Sequence, residues 1–234
     1  MRGAAKRFYA AASVAEDGYG VLLDARTLRT PAGIVFRAPS KALAAAVAAE
    51  WQAQGAEIAP AAMPLTQLAF AALDGGAGAH AERIAYVCKH AETDLCCHRA
   101  GRPAELVARQ AASWDSLVEW GAQALGAALP VVTGVLPAPA PAEALARVRA
   151  RAEALDDFAL TALAHAVGLT GSALIAFALV ERRLEAETAF AAAALDELWS
   201  LEHWGEDAEA RGKLEQLRGE ISSVARFCQS LSAQ

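Results

Sequence analysis

The 234-residue sequence is short of positive charge, with 21 Lys and Arg against 27 Asp and Glu and a formal net charge of −6. Such a chain has no basic field with which to release counterions from phosphates, which argues against nucleic acid as a partner. Cysteine is scarce as well. Four are too few for a disulfide-dense secreted scaffold, and the neighbours Cys96 and Cys97 are poorly placed to pair with each other, so all four are expected as reduced thiols. Cys88, His90, Cys96, Cys97 and His98 include the usual zinc-ligand types, but their spacing is wrong. Cys88 and His90 would point to different faces of a helix and Cys96 and Cys97 to opposite faces of a strand, and no second Cys-x-x-Cys or His-x-x-x-His completes a tetrahedral set. No metal is expected.

Signatures of catalysis and nucleotide binding are missing too. Gly75-Gly76-Ala77-Gly78 runs into Ala79-His80 rather than into Lys-Ser or Lys-Thr, so it is no P-loop and fits a hinge better. No Ser or Cys has an evident base to activate it. Met1-Arg2-Gly3-Ala4-Ala5-Lys6-Arg7-Phe8 reaches charge before a signal-peptide core can develop, which favours the cytoplasm.

Hydrophobic residues are plentiful at 55%. The stretch from Phe158 to Val180 carries no Asp, Glu, Lys or Arg and is long enough for a bilayer. Gly168-Leu169-Thr170-Gly171 reads as a turn in its middle, and Thr161, His165 and Ser172 add polar groups, so two buried helices of a soluble protein are expected instead of an inserted span. A second uncharged stretch, Trp120 to Ala142, contains four prolines and cannot form one regular helix.

The pattern along the chain predicts an α+β fold: a small strand-rich N-terminal domain, residues 1-75, and a larger mostly helical bundle, residues 79-234. Arg7-Phe8-Tyr9 and Tyr19 to Leu23 flank Glu16-Asp17-Gly18 and predict a hairpin, with Ile34-Val35-Phe36 as a third strand. Ser40 is a natural cap for a helix through Gln54 that Gly55 would stop, with Leu43, Val47 and Trp51 as its buried stripe. Leu65 to Leu73 is a second helix. Short strands near 94-99 and 130-133 are candidates to return to the first domain. The other segments, Pro103 to Leu125, Ala142 to Phe158, Leu160 to Val167, Ser172 to Leu184, Glu187 to His203 and Asp207 to Gln229, read as helices.

Several clusters are more specific than these periodicities. Lys6-Arg7-Phe8-Tyr9 precedes Val21-Leu22-Leu23-Asp24-Ala25-Arg26-Thr27-Leu28-Arg29-Thr30-Pro31, followed by Glu50-Trp51-Gln52, Met63-Pro64-Leu65-Thr66 and Ala72-Leu73-Asp74. Further on come Thr93-Asp94-Leu95, His98-Arg99-Ala100, Gln110, Trp114-Asp115 and Trp120, then Leu195-Asp196-Glu197 and Glu202-His203-Trp204-Gly205. In this order they resemble the assembly chaperones that act on the alpha subunit of the ATP synthase F(1) sector. Cys97-His98, Ser116 and Trp199-Ser200 depart from that pattern locally. The resemblance implies a bacterial, non-enzymatic protein that binds the unassembled alpha subunit, prevents its aggregation and releases it to beta, with no cofactor and no nucleotide.

The candidate partner surface is acidic. From Glu181 to Gln234 there are 11 acidic and 6 basic residues, so nearly all of the chain's net negative charge is local to this end. Asp196, Glu197, Glu202, Glu206, Asp207 and Glu209 follow one another with no Lys or Arg between them, and Trp199 and Trp204 are interleaved. Tryptophan beside rim carboxylates is a common composition of a binding surface. The alternative is a solvated helix end whose tryptophans face the core. With the resemblance, Glu197, Glu202, Trp204, Gly205, Glu206 and Asp207 are the expected partner-binding residues. A competing reading, an enzyme using Glu50, Asp94 or Glu197 as acid or base in an inter-domain cleft, requires a closed pocket with converging polar groups. A scaffold in another complex is a third.

Overall fold

A computed structural model describes residues 5–134, 138–205 and 208–232. It is α+β, with short strands concentrated before Gly75 and helices dominating thereafter, as the sequence pattern predicts. β1 (Ala5–Lys6) pairs antiparallel with β5 (Glu57–Ile58), while β2 (Ala12–Val14), β3 (Val21–Leu23) and β4 (Arg26–Thr27) form an antiparallel meander. The first hairpin strand thus lies at Ala12–Val14, not at the expected Arg7–Tyr9. The reason is in the side chains. Arg7 donates to the carbonyls of Tyr9, Ala10, Gln52 and Gln54, and the Tyr9 hydroxyl donates to the Trp51 carbonyl at 2.6 Å, which fastens this segment to a helix end instead. The expected third strand contributes a single bridge, Arg29 to Val35, across a tight turn in which Gly33 has φ +85°.

α1 (Lys41–Gln52) starts at the expected cap, where the Ser40 hydroxyl accepts from the Leu43 N–H at 3.1 Å. It ends before Gly55, and Gln54 turns back to donate to the Glu50 carbonyl at 3.0 Å. Glu50 caps the next helix, α2 (Pro64–Asp74), by accepting from the Leu65 N–H at 2.9 Å, the Thr66 N–H at 2.8 Å and the Thr66 hydroxyl at 2.7 Å. α3 (Gly76–Glu92) follows at once, so the expected glycine hinge is a helix corner. A Cβ on Gly75 would lie 2.7 Å from Arg83, whose guanidinium donates to the Ala71 carbonyl at 2.6 Å and closes the corner.

β6 (His98–Arg99) and β7 (Val132–Thr133) pair in parallel with each other and join neither N-terminal sheet. Between them α4 (Ala104–Trp120) runs into a wider turn at Gly121–Leu125. Gly121 lets this end approach closely, since a Cβ there would collide with Leu174. The expected helix from Ala142 to Phe158 is divided: α5 (Ala142–Glu153) ends at a cap on Ala154, and Asp156 caps α6 (Asp157–Thr170) through the Ala159 N–H at 2.8 Å. α7 (Ala173–Val180) is separated from α6 by Gly171, at φ +64°. The uncharged stretch is therefore two helices, and among the described residues no helix is long and apolar enough to cross a membrane. The expected helix from Glu187 to His203 is also two, α8 (Ala186–Ala193) and α9 (Leu195–Trp204), broken where the Trp114 indole donates to the Ala192 carbonyl at 2.9 Å. α10 (Ala208–Ser232) closes the bundle.

α7 is the axis. Every residue from Ala173 to Leu179 is buried, the mark of a helix enclosed on all sides, and α3, α4, α6, α8 and α10 pack around it. The buried side chains form one continuous cluster from Tyr9 to Cys228, with α2 packed on α6 and α10 across the proposed domain division. At the start of α7 the fully buried Asp94 accepts from the Ser172 hydroxyl at 2.7 Å, the Leu174 N–H at 3.0 Å and the Cys96 N–H at 3.0 Å. Burial pushes its carboxyl above the ordinary range and these donors oppose the rise.

Asp94→Asn keeps the shape but turns an amide NH₂ toward at least one of these donors. A loss of about 1–3 kcal/mol is expected, read as a lower urea midpoint at unchanged slope. All four cysteines are free and buried, and burial raises the Cys97 and Cys228 thiols to about 12. A thiol reagent should consequently label the folded protein slowly and reach four equivalents only in denaturant.

Candidate partner-binding surface

α9 carries the described residues of the expected partner surface. It starts immediately after Ala194 and ends at Gly205, whose φ of +97° suits glycine and terminates the helix. Glu206 and Asp207 lie outside the described residues. Glu197 and Trp204 are seven positions apart and both exposed, so they share a face of α9, while Glu202 lies roughly 140° around the helix at about 100° per residue. Trp204 is 82% exposed, whereas Trp199 is 9% exposed and stacks on His203 with ring centroids 4.0 Å apart. The structure therefore divides the two tryptophans: Trp199 faces the core and Trp204 faces solvent.

Glu202 is held from α4. Arg109 grips its carboxylate with two nitrogens, at 2.6 and 2.9 Å, and this hydrogen-bonded pair keeps the Glu202 carboxyl below its ordinary value. The pair is complete above the usual carboxylate range and is lost as the pH falls through the depressed value. Ninety-three positions separate the partners, so no local sequence signal announces Arg109. Next to them the His203 ring lies 3.7 Å from Glu105. Leu198 lines a shallow depression on either side of α9, one of about 350 Å³ against Arg109 and Ala112, the other of about 300 Å³ against Leu214 and Arg218. α9 thus stands out as a ridge with an exposed indole at its end.

Several other residues of the family-like clusters hold the frame that carries this ridge. Arg99 is buried, donates to the Cys96 carbonyl at 2.6 Å, pairs with Asp115 at 3.0 Å and lies 5.3 Å above the Trp114 ring. Gln110 accepts from the Ala100 N–H and donates to the Asp196 carboxylate, both at 2.8 Å, which ties the β6 strand and the first turn of α9 to α4. Asp196 is accordingly engaged inward although its neighbour Glu197 is free to face outward. The carboxylates weighed as acid or base do not converge: Glu50 caps α2, Asp94 is buried at α7, and Glu197 is on the surface.

Because Trp204 touches so little, Trp204→Ala should change stability by no more than about 0.5 kcal/mol. Trp199→Ala should cost about 3 kcal/mol, since it empties a buried site. Parallel urea titrations of the two variants measure both.

The family profile of the ATP12 chaperone protein matches residues 6–122. Among solved structures, Atp12 from Paracoccus denitrificans is 39% identical, with 97% of this chain and 98% of that chain covered at a TM-score of 0.90. A mutant of the P. denitrificans protein matches at 38% identity over 97% and 98% of the two chains, also at a TM-score of 0.90. A candidate chaperone from Agrobacterium tumefaciens is 38% identical over 97% of this chain and 86% of that one, with a TM-score of 0.88. Identity of this order across nearly the whole length, on top of the profile match and the shared fold, makes the chain a member of the ATP12 chaperone family.

Proposed function

We propose that this chain binds the unassembled alpha subunit of the ATP synthase F(1) sector in the cytoplasm, prevents its aggregation and releases it for assembly with beta. It does so without catalysis, cofactor or nucleotide. The observation that carries the reading is the fully displayed Trp204 at the end of an acidic ridge, within a chain of the ATP12 family. A lone subunit of a hetero-oligomer exposes apolar faces that its neighbours later cover, and such faces aggregate. A holder competes with aggregation by covering them and yields when the true neighbour offers a larger complementary surface. Displacement by beta supplies the free energy of release.

In this reading Trp204 is the apolar anchor. Glu197 and Glu202 form the charged rim, Gly205 frees the chain to turn beside it, and Glu206 and Asp207 are assigned to partner binding from the acidic sequence block alone. Rim charges chiefly speed and orient encounter, whereas the buried anchor sets the lifetime of the complex.

The wild-type protein is expected to suppress light scattering by isolated alpha subunit from its own organism without ATP, and added beta should displace it. Glu197→Lys and Glu202→Lys should slow capture, more at low salt than at high, because exposed charges are screened beyond about 10 Å at 0.1 M ionic strength. Trp204→Ala should speed release while leaving the fold intact. Glu202→Lys combined with Arg109→Glu restores the ion pair with reversed polarity. Recovery of capture by that double variant would assign Glu202 a positioning role, and continued loss a direct one. Failure of the wild type both to bind alpha and to keep it in solution would refute the proposal.

A further inference from the structure

The face of α2 that looks away from the core has a depression on each side. On one side α2, α6 and α10 enclose an open groove of about 870 Å³, with Pro64 and Leu68 on the α2 wall, Glu215, Gly219 and Glu220 on the α10 wall and His165 of α6 between them. On the other side is a cleft of about 410 Å³, bordered by Pro31, Trp51, Ile58, Met63 and Phe70. Pro60, Gln67 and Ala71 border both, so the two depressions adjoin along α2.

Three observations point to an occupant from outside the chain. The first is Gly219. It sits in the middle of the 25-residue α10, where glycine is among the poorest helix formers. A Cβ at that position would meet no atom of the described residues within 4 Å, and the backbone there needs no left-handed angle. Gly212 of the same helix is equally open, but only Gly219 lines the groove, where the missing side chain leaves room for another backbone to approach.

The second is charge. Among the described residues no Lys or Arg lines the groove. Glu220 accepts from Gln216 at 2.7 Å and has no Lys or Arg partner among the described residues, and Glu215 shares Arg218 with Glu187. The third lies in the cleft, where, among the described residues, the largely buried Trp51 has an indole N–H without an acceptor and Asp74 has a carboxylate oxygen without a donor.

We propose that the groove and the cleft form one docking track for an amphipathic helix of the client, with apolar side chains entering the cleft and Lys or Arg side chains facing Glu215 and Glu220. α2 has 11 residues and is about 16 Å long, enough for three turns of a partner helix alongside it. A second copy of this chain is a poor occupant. Its net charge of −6 would be brought against an acidic wall. The track rests on the chaperone reading and adds to α9 a second contact across α10, where Glu215 borders both the groove and the depression beside α9.

The test uses the full-length protein and isolated alpha subunit. Gly219→Gln should fold with a melting temperature at or above that of the wild type, because glutamine is the better helix former, yet bind alpha at least about tenfold more weakly. Glu220→Lys should weaken binding most at low salt. Gly219→Cys carrying a benzophenone photocrosslinker has little competition from the buried native thiols, and it should join to a helical segment of alpha that bears Lys or Arg. Wild-type affinity in the folded Gly219→Gln variant would overturn the track and leave the chaperone reading in place. Crosslinking only to another copy of this chain would overturn it equally. Absence of any alpha binding by the wild type would remove the reading and the track together.

Discussion

The fold depends on one buried carboxylate. α7 is wholly apolar, eight residues long and enclosed on all sides, so its first N–H groups have no water to turn to. Asp94 supplies the acceptor from about eighty positions upstream, and Ser172 completes the cap by accepting from the Ile175 N–H at 3.0 Å. The contact fixes more than a helix end. It places the turn at Leu95–Cys97 against Gly171, where the Leu95 N–H reaches the Gly171 carbonyl at 3.2 Å. From there Arg99 grips α4 through Asp115 and the Trp114 ring, and α4 in turn sets α9 through Gln110 and Arg109. An unbroken line of polar contacts runs from the core to the displayed ridge. Hydrogen bonds of this kind give orientation more than net stability, and orientation is what a presented surface needs.

That arrangement explains which parts of the structure were legible in the sequence. Periodicity and caps are local, so Ser40, the buried stripe of α1 and the helical content after Gly75 could be read directly. The turn within the uncharged stretch was legible for the same reason, displaced by a few residues to Gly171 and Ser172. Two of the misplaced elements trace to distant side chains that the local pattern does not contain, whereas the break at Asp156 is a local cap. Arg7 and Tyr9 fasten a would-be strand to the end of α1, and Trp114 takes a carbonyl at the point where one expected helix becomes two. In the candidate surface, composition marked the acidic tryptophan block but could not say which indole was wet. The i to i+4 stacking of Trp199 on His203, and the inward bond of Asp196, decided that.

Inner and outer carboxylates behave differently in this chain. Asp94 and Glu50 are spent on backbone N–H groups of helix starts. Glu202 is matched by an arginine on the surface, and Glu197 and Glu220 have no Lys or Arg partner among the described residues. A charge that is already paired must be desolvated and partly unpaired before a partner can use it, which makes its net value to binding small. An unpaired rim charge has no partner within the chain to give up on encounter and steers at long range. On electrostatic grounds Glu197 is thus better suited than Glu202 to recruit a basic client, although the sequence gives the two equal standing.

An indole left 82% in water is also a colloidal liability, because the same stickiness that would hold a foreign surface could hold a second copy of this chain. Here the indole sits in the acidic quarter of a molecule with a net charge of −6. Two such ends repel each other before their apolar tips can meet, and a basic surface feels attraction instead. The charge therefore acts as a filter on self-encounter, and its reach is set by the ionic strength. Added salt shortens that reach to a few ångströms at molar concentration, which lets like molecules approach as it weakens the pull on unlike ones. Monodispersity in dilute salt and clustering in concentrated salt would be two faces of one exposed side chain.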